Sequence, residues 1–144
     1  MESKPDQFVY ISRVDIGGVL LISPVVGKRM VPPFDNFNKC PFGIVEDHEF
    51  SIGTPEVHTH DDDLWVGLDG EAEFILGGEL IEPTFGKLKD GSEDPREIKG
   101  KDIVGGNKIV VRPGDILWIH AGIPHMHTAS GTARLLIYKS PKQS

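Results

Sequence analysis

The chain has 144 residues, of which 38% are hydrophobic and 26% charged, a length and balance that point to one globular domain with its own core and not to a disordered tail. Seventeen glycines and eleven prolines would interrupt long helices repeatedly, which argues against an all-α fold. A net charge of −7 repels phosphate backbones and makes nucleic acid a poor partner.

No purely apolar run is longer than that from Val19 to Ile22, far short of the roughly 20 residues that cross a bilayer, so no membrane partner is expected. Cys40 is the only cysteine, which excludes an intrachain disulfide. The opening MESKPDQ is polar and lacks the apolar stretch of a secretion signal. These features together predict a cytoplasmic protein.

Taken in chain order, short apolar or alternating runs predict strands at Phe8–Val14, Val19–Ile22, Gly43–Ile52, Leu64–Leu68, Ala72–Leu76, Lys108–Arg112, Ile116–His120 and Ala133–Lys139. Turn residues punctuate most of the gaps, the pattern of an all-β sandwich or barrel. No dozen-residue window carries a clean helical period. Residues 23–42 hold four prolines and read as an irregular arm. Its Phe34, Phe37 and Phe42 suggest burial, and a homodimer is expected on that basis. Residues 77–107, rich in Gly, Lys, Asp and Glu, read as a solvated loop with at most a short turn of helix.

Five of the six histidines fall in two windows, GTPEVHTHDDDLWVGLDG at 53–70 and PGDILWIHAGIPHMH at 113–127. In a strand, positions i and i+2 share a face, so His58 and His60 can address one metal ion. The acids beside them supply the carboxylate that a borderline divalent cation takes as a further ligand. His125 follows a Gly-x-Pro turn, and His127 shares its parity.

These windows resemble the paired motifs of the cupin superfamily. The first motif runs Gly, five residues, His-x-His, three or four residues, Glu, six residues, Gly; the second runs Gly, five residues, Pro-x-Gly, two residues, His, three residues, Asn. Gly53, His58, His60, Asp63 and Gly70 fill the first, and Gly114, Gly122 and His125 the second. The chain departs in four places: only four residues separate Gly53 from His58, Asp63 replaces the Glu and follows His60 after two residues, His120 replaces the Pro, and Ala129 replaces the Asn.

The resemblance implies an all-β jelly-roll, or double-stranded β-helix, barrel with an irregular N-terminal arm. A single domain would span 1–144, with N-terminal strands and arm over 1–50, metal motifs at 53–70 and 113–129, and the loop 77–107 between them. It also implies one divalent metal ion held by His58, His60 and His125, with Asp63 as fourth ligand directly or through a water. Iron is expected first, with Mn, Ni, Cu or Zn as alternatives.

Trp65 and Gly67 share the parity of Asp63, so Gly67 would open space near the metal and Trp65 would wall a pocket or pack in the core. Trp118 and His120 are further pocket candidates, His120 otherwise being an exposed turn residue. His127 is the candidate general acid or base, the alternatives being orientation of a ligand or a hydrogen-bonded core histidine. The expected function is metal-dependent chemistry on a small molecule, dioxygenase-type first. An isomerase or lyase, or a non-catalytic binder of metal and small ligand, remains the alternative.

Overall fold

The structure, a computed structural model, describes residues 7–142. It contains one short helix, α1 (Arg13–Val19), and twelve strands: β1 (Gly27–Val31), β2 (Phe42–Phe50), β3 (Glu56–His58), β4 (Asp61–Asp69), β5 (Ala72–Leu76), β6 (Glu79–Ile81), β7 (Thr84–Lys87), β8 (Glu93–Lys99), β9 (Asp102–Val104), β10 (Asn107–Val111), β11 (Ile116–Ile119) and β12 (His125–Pro141). The all-β jelly-roll expected from the sequence is what the chain forms.

The last strand organises the barrel. The start of β12, from His125, pairs with β3 and β5, while its continuation to Pro141 pairs with β2 and β4. Register shifts after Ala129 and Arg134 let this one strand bend from one sheet into the other. On one side the order is β1-β2-β12-β4-β11; on the other, β8 carries β3 to β7, and β5 carries β10.

Alternation along the strands sets the two faces. Val45, Trp65, Leu135 and Ile137 point inward and pack with Phe74, Val111, Ile119 and the alanines Ala72, Ala129 and Ala133 as the core. Glu46, Leu136 and Tyr138 share the opposite, outer parity. There Val19, Val31 and Ile44 form a second cluster with Ile22, Leu68 and Leu136. A buried network fixes the N-terminal segment to that face. Arg134 Nε donates to Glu46 Oε1 (3.0 Å), Arg134 Nη1 to the Leu20 carbonyl (2.7 Å), and Arg29 Nε to Glu46 Oε2 (2.7 Å).

Three stretches depart from the sequence expectation. The strands expected at Phe8–Val14 and Val19–Ile22 are replaced by α1 and its flanks. The helix starts because Ser12 and Asp15 form a reciprocal capping box, which satisfies two otherwise unpaired N–H groups. The irregular arm contains β1. The expected loop at 77–107 is four strands, β6 to β9, which are largely solvent-exposed and therefore show no apolar alternation. The arm's phenylalanines are used within the chain: Phe34 packs edge-on against Phe42 at 5.5 Å, and Phe37 joins the core.

Gly67 has a different reason from the one its parity suggested. A Cβ there would lie 2.1 Å from the Arg112 carbonyl oxygen; the residue is glycine because the turn before β11 crosses it, with Gly114 N–H donating to its carbonyl and its own N–H to Asp115 O. Among the described residues no helix is long and apolar enough to cross a membrane.

Candidate metal centre

Strand β3 ends at His58, and Thr59 and His60 form a bend. The i, i+2 relation that would have joined His58 to His60 therefore does not apply. His60 is exposed, and its Nδ1 donates to Thr59 Oγ1 at 2.7 Å, the threonine hydroxyl being spent on the Pro95 carbonyl. The residue that shares a strand face with His58 is Glu56. On β12, His125 is the register partner of Glu56, and Gly122 N–H donates to the His58 carbonyl (2.8 Å), so the turn before β12 docks directly on the first motif.

The ligating atoms of Glu56, His58 and His125 lie within 4.8 Å of one another. His58 Nε2 is 3.5 Å from Glu56 Oε1 and 3.6 Å from Asp63 Oδ2; His125 Nε2 is 3.9 Å and 3.7 Å from the same two atoms. A tetrahedral shell with bonds of about 2.1 Å has edges of about 3.4 Å, so these separations are near those of ligands around an ion. Asp63 Oδ2 and His125 Nε2 are buried without a hydrogen-bond partner among the described residues. Buried polar atoms are normally satisfied, and two such atoms aimed together fit a cation.

Protonation suits the same purpose. Burial pushes the His125 imidazole below its usual range, and its Nδ1 donates to the Ile123 carbonyl at 2.9 Å; the lone pair is thus on Nε2, the nitrogen facing the cluster. Burial disfavours the Glu56 carboxylate, but hydrogen bonds from His58 and Glu97 outweigh it and hold Glu56 well below the usual carboxylate range. Glu97 moves upward through its own burial and its hydrogen bond to Glu56. Lys139 Nζ approaches the other oxygen of Asp63 at 3.3 Å.

The structure thus brings together His58, His125 and Asp63, adds Glu56, and leaves His60 outside. The first motif reads Glu56-x-His58, four residues, Asp63, six residues, Gly70. Shifted by two residues, the spacing from the histidine to the acid becomes regular, and Phe50 stands where the leading Gly would be. The two irregular spacings around Gly53, His58, His60 and Asp63 were the signal for Glu56 in the sequence.

The other candidates separate clearly. His127 is buried in an aromatic box, with ring centroids 5.1 Å from Trp65, 5.3 Å from Phe74 and 6.1 Å from Phe50. Trp65 packs in the core against Phe74 and lines neither of the two cavities beside the cluster. Trp118 is the register partner of Leu64, one residue out of phase with the pair Ile119 and Asp63. It therefore faces outward, where its Nε1–H donates to the exposed His120 at 3.3 Å. Neither borders the centre.

Two cavities do border it. One of about 220 Å³ is walled by Lys28, Thr54, Glu56, Glu97 and His127, among others; one of about 310 Å³ by Lys28, Glu56, His58, Asp61, Arg96 and Lys139, among others. A larger apolar cavity of about 460 Å³ lies on the outer face, between Val9, Ile11 and Ile16 and the sheet residues Leu64, Leu68 and Leu136.

No protein-family profile matches the sequence, and no curated protein matches it by sequence. Solved structures match the fold. Drosophila melanogaster CENP-C bound to CAL1 aligns with a TM-score of 0.50 at 11% identity, covering 78% of this chain and 73% of that one. The iron(II) form of HppE aligns at 0.48 and 14% identity over 68% of this chain and 42% of that one. EutQ of Clostridium difficile aligns at 0.41 and 16% identity over 71% and 52%. This chain spans about two-fifths of the length of HppE. The strand order, the two motifs on β3–β4 and on the turn into β12, and the alignment with CENP-C agree: the chain has the cupin fold.

Proposed function

We propose that this chain is a divalent-metal-dependent enzyme acting on a small organic molecule, with iron as its metal and dioxygenase-type oxidation as its reaction. The observation that carries the reading is the set Glu56, His58 and His125: two imidazoles and one carboxylate whose ligating atoms lie within 4.8 Å of one another, Glu56 and His58 also lining a cavity, the ligand type of non-haem iron oxygenases. Asp63 completes the set from β4. When bound there, the ion supplies Lewis acidity and, as iron, electrons to dioxygen. The side chains do the rest. Glu56 and Asp63 offset the ion's charge, and His127 exchanges protons with a substrate in the smaller cavity. Cavities of this size suit a small molecule.

A second reading, a metal-dependent isomerase or lyase, is favoured by one observation, the contact of His127 with a buried carboxylate described below, since proton transfer and not oxidation is what such a pair serves. The test is metal content and oxygen uptake of protein purified anaerobically without chelator, beside His58→Ala. About one equivalent of iron, lost in the variant, with oxygen consumed alongside a small-molecule substrate, supports the oxidase reading. Metal with no oxygen uptake but solvent deuterium entering the substrate supports the isomerase or lyase. Binding of both metal and ligand with no turnover makes the chain a binder, and failure to take up any divalent metal removes the proposal.

A homodimer is part of this proposal; sedimentation equilibrium giving only monomer would remove it. So is a cytoplasmic location, where a reducing milieu keeps the buried Cys40 a thiol.

A further inference from the structure

The sequence singles out His127 but gives no hint of its partner, which lies 80 positions earlier on β2. Asp47 is completely buried, and its Oδ2 is 2.5 Å from His127 Nδ1. Its other oxygen, Oδ1, has no partner among the described residues. A carboxylate that deep is stable only against a donor, and His127 is the donor this one has. Nδ1 must therefore carry a proton, whether the ring is neutral or charged. The aromatic box of Trp65, Phe74 and Phe50 prevents the ring from turning over. Nε2 is the nitrogen left to exchange protons, and His127 is one of the residues lining the 220 Å³ cavity that Glu56 also lines.

We infer that Asp47 is a positioning residue: it fixes the tautomer and orientation of His127 so that proton transfer with substrate takes place at Nε2. The inference rests on reading the neighbouring cluster as a catalytic metal centre. In the step itself a substrate C–H or O–H bond breaks, an Nε2–H bond forms, and the electron pair stays on the substrate. The positive charge gained by the ring lies against the Asp47 carboxylate. Returning the proton from Nε2 to the product restores the enzyme.

Histidine ¹⁵N NMR on the full chain loaded with zinc, which is diamagnetic, tests this without knowledge of the substrate. The wild type is expected to show His127 protonated at Nδ1, with that proton exchanging slowly with water. In Asp47→Leu, which offers no acceptor, the proton should move to Nε2 while zinc content stays near one equivalent. If Asp47→Leu does not fold, Asp47→Asn serves: loss of the charged acceptor should speed exchange of the Nδ1 proton at least tenfold. A wild-type ring unprotonated at Nδ1, or a tautomer and exchange rate unchanged by these substitutions, overturns the inference. Absence of bound zinc in the wild type would instead remove the metal-centre reading, and the tautomer would still be measurable on the metal-free chain. With a substrate in hand, Asp47→Leu should lower kcat by about 100-fold or more, the usual span of acid–base catalysis, with KM little changed.

Discussion

Asp63 Oδ2 and His125 Nε2 face each other at 3.7 Å, both buried, and both are hydrogen-bond acceptors. The imidazole has committed its proton to the Ile123 carbonyl, so the pair repels unless a cation lies between. Removing one ligand of a filled site should cost more than the roughly 10- to 100-fold in metal affinity lost with an outer hydrogen-bond partner. Glu56→Ala, His58→Ala and His125→Ala are each expected to lose metal on dialysis, whereas His60→Ala and His120→Ala keep about one equivalent. Elemental analysis of the five variants checks this, and retention of metal by Glu56→Ala would return the site to His58, His125 and Asp63.

Metal should also stabilise the fold, because the cluster ties β3, β4 and β12 together. At an ion concentration about 100 times the dissociation constant, linkage gives about 2.7 kcal/mol. Chelation is therefore expected to lower the melting temperature by several degrees, and re-addition of the ion to restore it. Asp63→Ala should melt at the same temperature with and without chelator.

The Glu46 network makes an acid-dependent prediction. Burial disfavours the Glu46 carboxylate, yet hydrogen bonds from Arg29, the Val25 N–H and Arg134 hold it below its ordinary value of 4.5. Its contribution is present in full above the unfolded-state value and disappears as pH falls through the lower folded-state value. Wild-type protein should therefore lose stability below about pH 4.5, and Glu46→Gln should show less of that slope. At pH 7 the same substitution leaves the buried Arg134 with only the half-exposed Asp69, 3.7 Å away, as counter-charge and should cost about 3 kcal/mol. Urea denaturation at pH 7 and pH 4 measures both.

Two glycines should respond in opposite directions. Gly17 lies in exposed helix, and a Cβ added there would meet nothing within 4 Å, so Gly17→Ala should stabilise by about 0.5–1 kcal/mol. Gly67→Ala forces the Arg112 carbonyl to move and should destabilise by more than about 2 kcal/mol. Thermal melts of the two variants decide this.

Local sequence was enough to locate the barrel and its centre. Strand alternation from β2 onward, His125 after a glycine-proline turn and the His58 window were legible because apolar periodicity and motif spacing are local properties. Charged, solvent-facing strands such as β8 were not legible, since period-2 alternation marks a strand only where one face is buried. The capping box of Ser12 and Asp15 was present in the sequence but hidden by the apolar run around it. The place of Glu56 in the candidate ligand set, in exchange for His60, was by contrast decided by the folded chain. The strand ends at His58, which turns His60 to solvent, and the register of β12 on β3 places His125 beside Glu56. The meeting of His127 with Asp47 is of the same kind. Such pairings follow from strand register and from where the barrel's last strand bends, which are set by the packing of the whole chain and by no short window of it.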